Sequence, residues 1–508
     1  MMTGRVLLAL VFSLVLGTCG TESGPEDDRP GPVADAPNIV FVLLDDATKA
    51  QYTKETMPFT WRYMRQNATT FTDYIVTSPL CCPARASIIT GQYGHNSGVL
   101  ANSYGAIDDP RNVLPVWLQR AGYRTAHVGK FLNNFEQTLD DPADPTPGWD
   151  EWFTQLEPQR YFDYEISDNG EPRAYGDRDE DYLTRVLNAK AADLIDEFAD
   201  RGETFYLELD AFAPHFAGGQ KGRCRGAAQP DPLDEGSFSD ARVERSPALF
   251  EAHREDKPGF IQRLPVGSPT ELRAKDDRYA CALESLRAVD RGVEEIVSRL
   301  RERGLLDSTA LVFSSDNGVF YGEHGIPDEK QFPYREAYEV PLQIALPDSL
   351  GGPTLAENAA PVASIDLAPT LLEMAAAEPC RAPAICRPLD GRSLIPLLES
   401  ESATQPGDGR PRGIELTLTQ NNEPYDRVCE YFGVRSGRWA YIEHVTVARR
   451  GRSCRPSEET ELYDLDADPR QLLSLAGKRP AVEQRLRRLA LSVRACEGAS
   501  CRRLGRGG

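Results

Sequence analysis

YACALESLRAVDRGVEEIVSRLRERGLLDSTALVFSSDNG, residues 279–318, predicts a helix, a turn and a strand in direct succession. Its first part has apolar residues at three- and four-residue spacing, which is typical of a helix with one buried face. We expect the helix to end at Gly304, and the apolar run TALVFSSDN (309–317) then predicts a buried strand. Alternation of such helices and strands is the pattern of α/β folds.

Three other stretches repeat this pattern. NIVFVLLDD (38–46) is a continuous apolar run that ends in two acids, as in a strand buried on both faces of a parallel sheet. VLPVWLQRAGYRTAHVGK (113–130) predicts a helix, a turn at Gly122 and a strand, and ETFYLELDAFAPH (203–215) predicts a strand and a loop. The predicted fold class is therefore α/β, with a large, mainly parallel sheet sandwiched by helices.

A change of composition after Ser400 predicts a domain boundary. The stretch ESATQPGDGRPRG (401–413) is polar and rich in proline and glycine. Strand-like runs follow at 431–444 and 461–477, and an arginine-rich amphipathic helix is predicted near 481–496. We predict three regions: an export segment with a tether at 1–36, a large domain at 37–405, and a smaller C-terminal α+β domain at 406–508.

The first residues predict export. Arg5 precedes the apolar run VLLALVFSLVLG (6–17), which is too short to span a bilayer and is typical of a secretory signal. Cys19 follows Thr18 just after this run, at the place of the lipid-bearing cysteine of a bacterial lipoprotein, but Thr18 is not the usual residue before such a cysteine. We expect either a cell-surface lipoprotein, with membrane contact only through Cys19, or a secreted protein. The next 18 residues are rich in glycine, proline and acid and predict a disordered tether.

Charge and cysteine content narrow the possible functions. The chain has 508 residues, with 57 Lys and Arg against 78 Asp and Glu and a net charge of −21, which argues against nucleic-acid binding. Its 11 cysteines suit an oxidising compartment. We predict the pairs Cys380–Cys386, Cys496–Cys501, Cys429–Cys454 and, less directly from spacing, Cys224–Cys281. We expect Cys82 to be a buried small hydrophobic residue.

Polar residues follow four of the predicted strands. In open α/β sheets the ligand binds beyond the carboxyl ends of the strands, so these residues are expected to converge. Asp45, Asp46, Asp316 and Asn317 supply three carboxylates and one amide oxygen, a donor set that suits Ca²⁺ or Mg²⁺. The alternative is that each pair caps a helix or closes a turn.

Four further residues are candidates for chemistry. His215 follows Pro214 and is therefore expected on a turn at a strand end. Three basic residues are the other candidates, namely Lys130, Lys330 and Arg85. Taken singly, each is explained equally well as a surface residue or as a salt-bridge partner.

The stretch CCPARASIITG (81–91) contains Cys-x-Pro-x-Arg followed by Thr-Gly, with Cys81, Pro83 and Arg85 in the signature positions. This resembles the signature of the type I sulfatases in the alkaline phosphatase superfamily. Other segments have counterparts in the same order, from Asn38 to about Leu475. The double cysteine, GQYGHN (91–96), GKFLN (129–133) and APH (213–215) are most similar to the branch of N-acetylglucosamine-6-sulfatases and extracellular heparan 6-O-endosulfatases.

The resemblance implies an alkaline-phosphatase-like catalytic domain and a mechanism. A formylglycine-generating enzyme would oxidise Cys81 to formylglycine, and Cys82 would be a bystander. Ca²⁺, or Mg²⁺, would be held by Asp45, Asp46, Asp316, Asn317 and the modified Cys81. A hydroxyl of the hydrated aldehyde would attack the sulfur of a sulfated carbohydrate, with 6-O-sulfoglucosamine as one candidate.

The resemblance also implies roles for the remaining candidates. Arg85 would hold the hydrated aldehyde, and Lys130 and Lys330 would stabilise the developing negative charge. His215, with Lys330 as a second candidate, would protonate the departing sugar oxygen. Substrate contacts are expected from Asn133, His95 and Asn96.

Two positions depart from the family pattern, and two rival functions stay open. Ala84 stands where the family more often has serine, and Leu132 stands where many arylsulfatases have a histidine, so the base that regenerates the aldehyde is unassigned. One rival is a phosphomonoester or phosphonate monoester hydrolase on the same scaffold. The other is an inactive surface lipoprotein that binds sulfated glycans.

Overall fold

A computed structural model describes residues 31, 36–218, 223–264, 267–352, 356–399, 412–419, 428–448 and 454–504. The predicted export signal, Cys19 and nearly all of the predicted tether lie outside these residues, as does the predicted domain boundary at 405/406. Over the described part of the chain, every helix is too short or too polar to cross a membrane.

The strands alternate with helices through the first two thirds of the chain. The described strands are β1 (Asn38–Leu44), β2 (Thr69–Phe71), β3 (Tyr74–Ile75), β4 (Arg124–Gly129), β5 (Glu151–Gln155), β6 (Tyr164–Asp168), β7 (Glu171–Tyr175), β8 (Phe205–Asp210), β9 (Thr309–Ser315), β10 (Leu342–Ala345), β11 (Glu357–Asn358), β12 (Val362–Ala363), β13 (Cys380–Ala382), β14 (Ile385–Cys386), β15 (Gly413–Thr419), β16 (Val428–Ser436), β17 (Trp439–Ala448), β18 (Cys454–Pro456) and β19 (Thr460–Asp464).

The described helices range from single turns to one helix of 34 residues. The described α-helices are α1 (Pro58–Asn67), α2 (Cys81–Thr90), α3 (Gly94–Ser97), α4 (Leu114–Arg120), α5 (Leu183–Arg201), α6 (Gly259–Gln262), α7 (Pro269–Glu302), α8 (Arg335–Tyr338), α9 (Leu367–Met374), α10 (Ile395–Leu398), α11 (Pro480–Arg494) and α12 (Ala499–Arg503).

Ten strands form the large sheet, in the order β11-β2-β10-β9-β1-β8-β4-β5-β6-β7. The five neighbours from β9 to β5 run parallel to one another. On one side β10 is antiparallel to β9, and on the other side β6 and β7 are antiparallel to their neighbours. The predicted α/β fold class is therefore confirmed, with a parallel centre and antiparallel pairs toward both edges.

Strand β1 shows why helices cover both faces of this sheet. All seven of its side chains are buried. Ile39, Phe41 and Leu43 belong to one hydrophobic core, which α2, α4 and α9 share, whereas the alternate residues belong to a second core with α1, α5 and α7. Because successive side chains of a strand point to opposite faces, a continuous apolar run needs an apolar layer on each side.

The helix–turn–strand unit predicted from residues 279–318 is present. Helix α7 begins before that stretch, at Pro269, because Ser268 and Glu271 form a capping box that satisfies backbone N–H groups of the first turn. The helix ends at Glu302, and Gly304 follows with a φ of +69°, a left-handed conformation that glycine adopts without steric cost. Strand β9 then runs parallel to β1.

The C-terminal region forms a second, antiparallel sheet. Strands β15, β16, β17 and β18 are neighbours in that order, and β19 pairs with β17. Helix α11 packs on this sheet through the buried residues Leu486, Ala490 and Val493. The predicted smaller α+β domain is thus present, and its apolar residues continue into the core on the α2 side of the large sheet.

Three of the predicted disulfides are formed, namely Cys224–Cys281, Cys380–Cys386 and Cys496–Cys501. Cys429 is also disulfide-bonded. The side chain of its predicted partner, Cys454, lies outside the described residues, so that pairing stays a prediction. Cys81 and Cys82 are free thiols, and both are buried.

Candidate active site

The carboxyl ends of four adjacent parallel strands bring the candidate residues together. Asp45 directly follows β1, Asp316 directly follows β9, and Lys130 directly follows β4. Strand β8 lies between β1 and β4 and ends with Asp210. Because parallel strands end at the same edge of a sheet, four segments far apart in sequence converge there.

Cys81 lies at the centre of this edge. It is the first residue of α2, so its side chain is at the helix end where the backbone dipole favours negative charge. Its Sγ lies 2.8 Å from Lys330 Nζ, 3.5 Å from Lys130 Nζ and 3.8 Å from Asp45 Oδ1. Burial raises the pKa of the Cys81 thiol to about 11, even though both lysines act to lower it.

Both lysines are buried and paired with the adjacent acids. Lys130 Nζ donates to Asp45 Oδ2, and Lys330 Nζ donates to Asp46 Oδ1. Burial alone would raise the pKa of the Asp45 carboxyl, but Lys130 and His215 outweigh it and the net pKa is lowered. Burial likewise opposes the charge on Lys330, yet Asp46 and the other carboxylates hold its pKa well above the ordinary value.

Arg85 lies one helical turn after Cys81 on α2, so the two side chains share a face of the helix. Its guanidinium is 2% exposed and donates from Nε to Asp316 Oδ2 at 2.9 Å. Its Nη1 donates to Asp210 Oδ2 at 2.8 Å and to the Lys130 carbonyl at 2.9 Å. Arg85 therefore links the ends of β9, β8 and β4.

The predicted metal donors leave buried oxygen atoms without partners. Asp46 Oδ2 and Asn317 Oδ1 accept no hydrogen bond among the described residues. Ligand atoms of Asp45, Asp46, Cys81 and His215 all lie within 4.8 Å of one another. Unpartnered buried carboxylate and amide oxygens are costly alone and are the ligands that a hard cation prefers. The residues present therefore fit a Ca²⁺ or Mg²⁺ ion.

The backbone at Asp46 is in an unusual conformation. Its φ is +69°, in the left-handed region that L-residues other than glycine seldom occupy. The Asp46 N–H donates to Asp316 Oδ1 at 3.1 Å, and Asn317 Nδ2 donates to Asp46 Oδ1. These bonds hold the segments Asp45–Asp46 and Asp316–Asn317 against each other and maintain the strained backbone.

His215 lies on the loop after β8, as predicted. Its Nδ1 is 2.6 Å from the Phe216 carbonyl, which can only accept, so Nδ1 carries the hydrogen. Its Nε2 is 3.5 Å from Asp46 Oδ2. Burial lowers the pKa of the imidazole, against the attraction of Asp45 and Asp46.

The three predicted substrate residues lie in different surroundings. Asn133 is beside Cys82, whose Sγ accepts from the Asn133 backbone N–H at 3.0 Å. His95 lies between Glu415 Oε2, at 3.2 Å, and the Cys496 carbonyl, at 3.1 Å. Asn96 Nδ2 donates to Asp390 Oδ2 at 2.8 Å. The structure thus brings Asn133 near the cluster, whereas His95 and Asn96 both contact the Cys496 carbonyl of the C-terminal region, Asn96 through Nδ2 at 2.9 Å. The substrate roles of all three residues stay predictions.

Sequence reasoning missed Asp210. It occupies the end of β8 just as Asp45 follows β1, and that position was the signal available in LELDAFAPH. Burial raises the pKa of the Asp210 carboxyl to about 7, although Arg85 opposes the shift. His127 Nε2 is 3.3 Å from the same Asp210 oxygen that Arg85 contacts. A histidine thus contacts the buried acid at the end of β8.

Comparison with known proteins agrees with this geometry. Residues 37–377 match the Sulfatase family profile, and residues 322–494 match the profile of the N-sulphoglucosamine sulphohydrolase C-terminal domain. Human N-acetylglucosamine-6-sulfatase is 27% identical over 98% of this chain and 90% of its own length. An extracellular sulfatase Sulf-1 homologue of Caenorhabditis elegans is 29% identical over 71% of this chain, which spans only 49% of that relative.

Two solved structures share the fold. A protein described as a complex with its substrate D-glucosamine-2-N,6-O-disulfate superposes with a TM-score of 0.70 at 22% identity, over 90% of this chain and 97% of its own. The phosphonate monoester hydrolase of Agrobacterium radiobacter superposes with a TM-score of 0.63 at 18% identity, over 90% of this chain and 95% of its own. At these identities the likeness establishes the fold alone. The family profile covers most of the chain, and the chain therefore belongs to the sulfatase family of sulfuric ester hydrolases.

Proposed function

We propose that this chain removes the 6-O-sulfate from a sulfated glucosamine of a carbohydrate, with Cys81 in its formylglycine form as the nucleophile. The observation that carries the proposal is the placement of the Cys81 sulfur between two buried ammonium groups, at 2.8 and 3.5 Å. The similarity to N-acetylglucosamine-6-sulfatases supports the sugar.

A nucleophile at position 81 has to be made, because the thiol itself is poorly suited. A cysteine nucleophile acts as the thiolate, and burial works against that form here. Oxidation by a formylglycine-generating enzyme would supply an aldehyde whose hydrated form has two hydroxyl groups. One hydroxyl attacks sulfur, and the other allows the covalent sulfate to be expelled when the aldehyde re-forms.

Asp45, Asp46, Asp316 and Asn317 would hold the divalent cation, for which we propose Ca²⁺. Such an ion, when bound, polarises sulfate oxygens and lowers the pKa of a coordinated hydroxyl group. The unpartnered Asp46 Oδ2 and Asn317 Oδ1 support this assignment.

The cationic side chains have separable tasks in the proposed reaction. Lys130 and Lys330 flank position 81 and oppose the negative charge that develops on the equatorial sulfate oxygens. Arg85 is fixed in position by its ion pairs with Asp316 and Asp210. Because it lies on the same face of α2 as residue 81, we propose that it holds the modified residue. In the structure each of these three groups is held by a buried carboxylate.

His215 is proposed as the general acid. Since its Nδ1 is committed to the Phe216 carbonyl, Nε2 is the atom that delivers a proton to the departing sugar oxygen. Burial lowers the pKa of this imidazole and Asp46, which Nε2 faces, opposes that shift, so the ring has to take up a second proton on Nε2 before it can act as the acid.

The decisive experiment is mass spectrometry of the tryptic peptide that contains residue 81, from protein made in a host able to form formylglycine. An aldehyde at position 81 and not at 82 is expected, together with loss of p-nitrophenyl sulfate hydrolysis in Cys81→Ala. A thiol at full occupancy, in a host that converts other such motifs, would leave the inactive glycan-binding function as the better explanation.

The phosphoester alternative needs a separate test, because a metal, a nucleophile and a cationic clamp also suit a phosphoryl group. The proposal predicts a higher kcat/KM for p-nitrophenyl sulfate than for the phosphate and phosphonate monoesters. The reverse order would favour the phosphonate hydrolase function.

Export is part of the proposal. The disulfides among the described residues suit an oxidising compartment, and the extracellular relative supports the same location. Whether Cys19 carries lipid is decided by the mass of the mature N-terminus and by its membrane fraction, with Cys19→Ala as the control. Lipid at Cys19 would make the chain a surface lipoprotein, and cleavage without lipid would make it a secreted protein.

A further inference from the structure

The cleft beside Asp46 has two wall residues that the reaction does not use. It is lined by residues of the loop after β8, of α7 and of the segment after β9, among them Asp46, Pro214, Phe216, Ala228, Arg278 and Asp328. We propose that Phe216 and Arg278 form a substrate subsite. Phe216 takes the face of the sugar ring, and Arg278 takes a second anionic group of the substrate. This inference rests on the proposed function for the identity of the sugar.

Phe216 is an exposed aromatic side chain next to the proposed acid. It is 48% exposed, and its ring stacks on His215 with centroids 4.6 Å apart and planes at 17°. An aromatic ring left in contact with water beside a reacting centre offers a flat apolar surface. The carbon face of a pyranose ring is flat and apolar in the same way, so the sugar would stack on the face of Phe216 that His215 leaves open.

Arg278 adds positive charge to the part of the cleft that α7 lines. It forms an ion pair with Asp328, which also accepts from Lys275 Nζ at 2.6 Å. One carboxylate therefore serves two cations. A guanidinium has five N–H donors, and apart from this ion pair Arg278 makes no hydrogen bond or ion pair with the described residues. Its remaining donors are available to a sulfate or carboxylate, which guanidinium groups bind with two parallel hydrogen bonds.

A covalent link fixes the two walls relative to each other. The disulfide Cys224–Cys281 joins the loop after β8 to α7, and Cys281 is one helical turn after Arg278. The loop is also closed on itself, because the Ala217 N–H donates to the Ala227 carbonyl at 3.2 Å. The subsite is therefore built before substrate arrives, which reduces the conformational entropy lost on binding.

The second anion has two chemical sources. It is either an N-sulfate on the same glucosamine or the carboxylate of a neighbouring uronic acid. Both are oxyanions that a guanidinium recognises in the same way, so the substrate used in the test has to separate them.

The test compares three substrates: glucosamine 6-O-sulfate, glucosamine N,6-O-disulfate, and a disaccharide in which a uronic acid is joined to N-acetylglucosamine 6-O-sulfate. For Arg278→Gln we expect kcat/KM to fall about tenfold more for a substrate with the second anion than for the monosulfate. The substrate that responds identifies the source.

For Phe216→Ala we expect kcat/KM to fall for all three sugars, by roughly three- to tenfold. Dissociation constants for the same ligands, measured in the Cys81→Ala background, should show the same ratios.

Two controls match these variants. Arg273→Gln removes an exposed arginine from the same helix, and Leu233→Ala removes an exposed apolar side chain from the same connection. Both should leave the three kcat/KM values unchanged. If Arg278→Gln lowered kcat/KM equally for all three substrates, or for none of them, the proposed subsite would be wrong. A wild-type protein that hydrolyses no sulfate ester but binds the anionic sugars through Arg278 would overturn the proposed function and leave the subsite standing.

Discussion

Lys330 Nζ lies 2.8 Å from Cys81 Sγ, although 249 residues separate the two along the chain. Lys330 comes from the segment after β9, and Cys81 begins α2, so the contact depends on the whole central sheet being formed. Substitution of Lys330 by alanine should lower kcat about 10²- to 10³-fold, because a fixed charge that stabilises the transition state is lost. The measurement is steady-state hydrolysis of an aryl sulfate.

The matched control for that variant is Lys54→Ala, since Lys54 is exposed and, among the residues that the structure describes, pairs with the exposed Glu55 alone. Its kcat should equal that of the wild type. An unchanged kcat in Lys330→Ala would remove this lysine from the proposed mechanism.

The two adjacent cysteines should behave differently. Cys82→Ala should retain kcat, because its sulfur contacts Asn133 rather than the lysines, and should lose about 1 kcal/mol of unfolding free energy. Cys81→Ala should lose activity and keep its stability. Aryl sulfatase assays and chemical denaturation of both variants test this. Activity that depends on Cys82 and survives without Cys81 would reverse the assignment.

Divalent cation should stabilise the folded protein. Ca²⁺ at 100 times its dissociation constant should add about 2.7 kcal/mol to the unfolding free energy, because it binds the native site and not the unfolded chain. Asp316→Asn should abolish most of this increment, whereas the exposed Asp277→Asn should keep it. Thermal unfolding with and without chelator measures both. If calcium raised the unfolding free energy equally in wild type, Asp316→Asn and Asp277→Asn, the ion would bind at a different site.

Because of Glu208, the free energy of unfolding should fall as the pH rises. Burial raises the pKa of this β8 carboxyl from 4.5 to about 8. The folded state therefore binds a proton that the unfolded state has released between these two values. The unfolding free energy should decline by up to about 1.4 kcal/mol per pH unit across that window.

Glu208→Gln should flatten this decline, since glutamine does not titrate. Denaturant unfolding at a series of pH values from 5 to 8 compares the two proteins. The exposed Glu165→Gln, on β6, is the control and should keep the wild-type slope. Equal slopes in Glu208→Gln and wild type would mean that Glu208 is charged throughout the window.

Gly129 should tolerate no side chain. It precedes Lys130 with a φ of +125°, and an added Cβ would lie 2.0 Å from the Asp210 carbonyl oxygen. Gly129→Ala should therefore cost more than about 2 kcal/mol and displace Lys130 from Cys81. Gly202→Ala is the control, because Gly202 has a φ of +65° with nothing within 4 Å, and only about 1 kcal/mol is expected. Similar losses in both variants would contradict the close-packing argument.

The fold could be predicted from local pattern because its central strands are buried on both faces. A continuous apolar run such as β1 has few alternatives to a parallel sheet covered by helices. The antiparallel strands β6, β7 and β10 were not predicted individually, since short strands near a sheet edge carry little periodic signal. The Cys-x-Pro-x-Arg motif predicted the family and enzyme class, and both are confirmed by the family match.

A site residue could be predicted from the sequence when two conditions were met: it follows a predicted strand, and it belongs to a recognisable group of metal-binding residue types. Asp45, Asp46, Asp316 and Asn317 satisfied both conditions. Asp210 satisfied only the first, and its raised pKa depends on burial and on carboxylates from other strands, which no local pattern encodes. The predicted substrate residues His95 and Asn96 have hydrogen-bond partners in the C-terminal region, an arrangement that depends on how the two sheets pack.

The sequence by itself determined the α/β class, the cysteine for which we propose conversion to the nucleophile, and the strand-end oxygen atoms that we propose as metal donors, because each of these follows from a local run or a contiguous motif. Only the tertiary structure decided which charges neutralise one another and which oxygen atoms are left without a partner. It also decided that Phe216 and Arg278 line the same cleft. Those relationships join segments up to hundreds of residues apart, and their energies depend on distance and burial, which exist only once the sheet has formed.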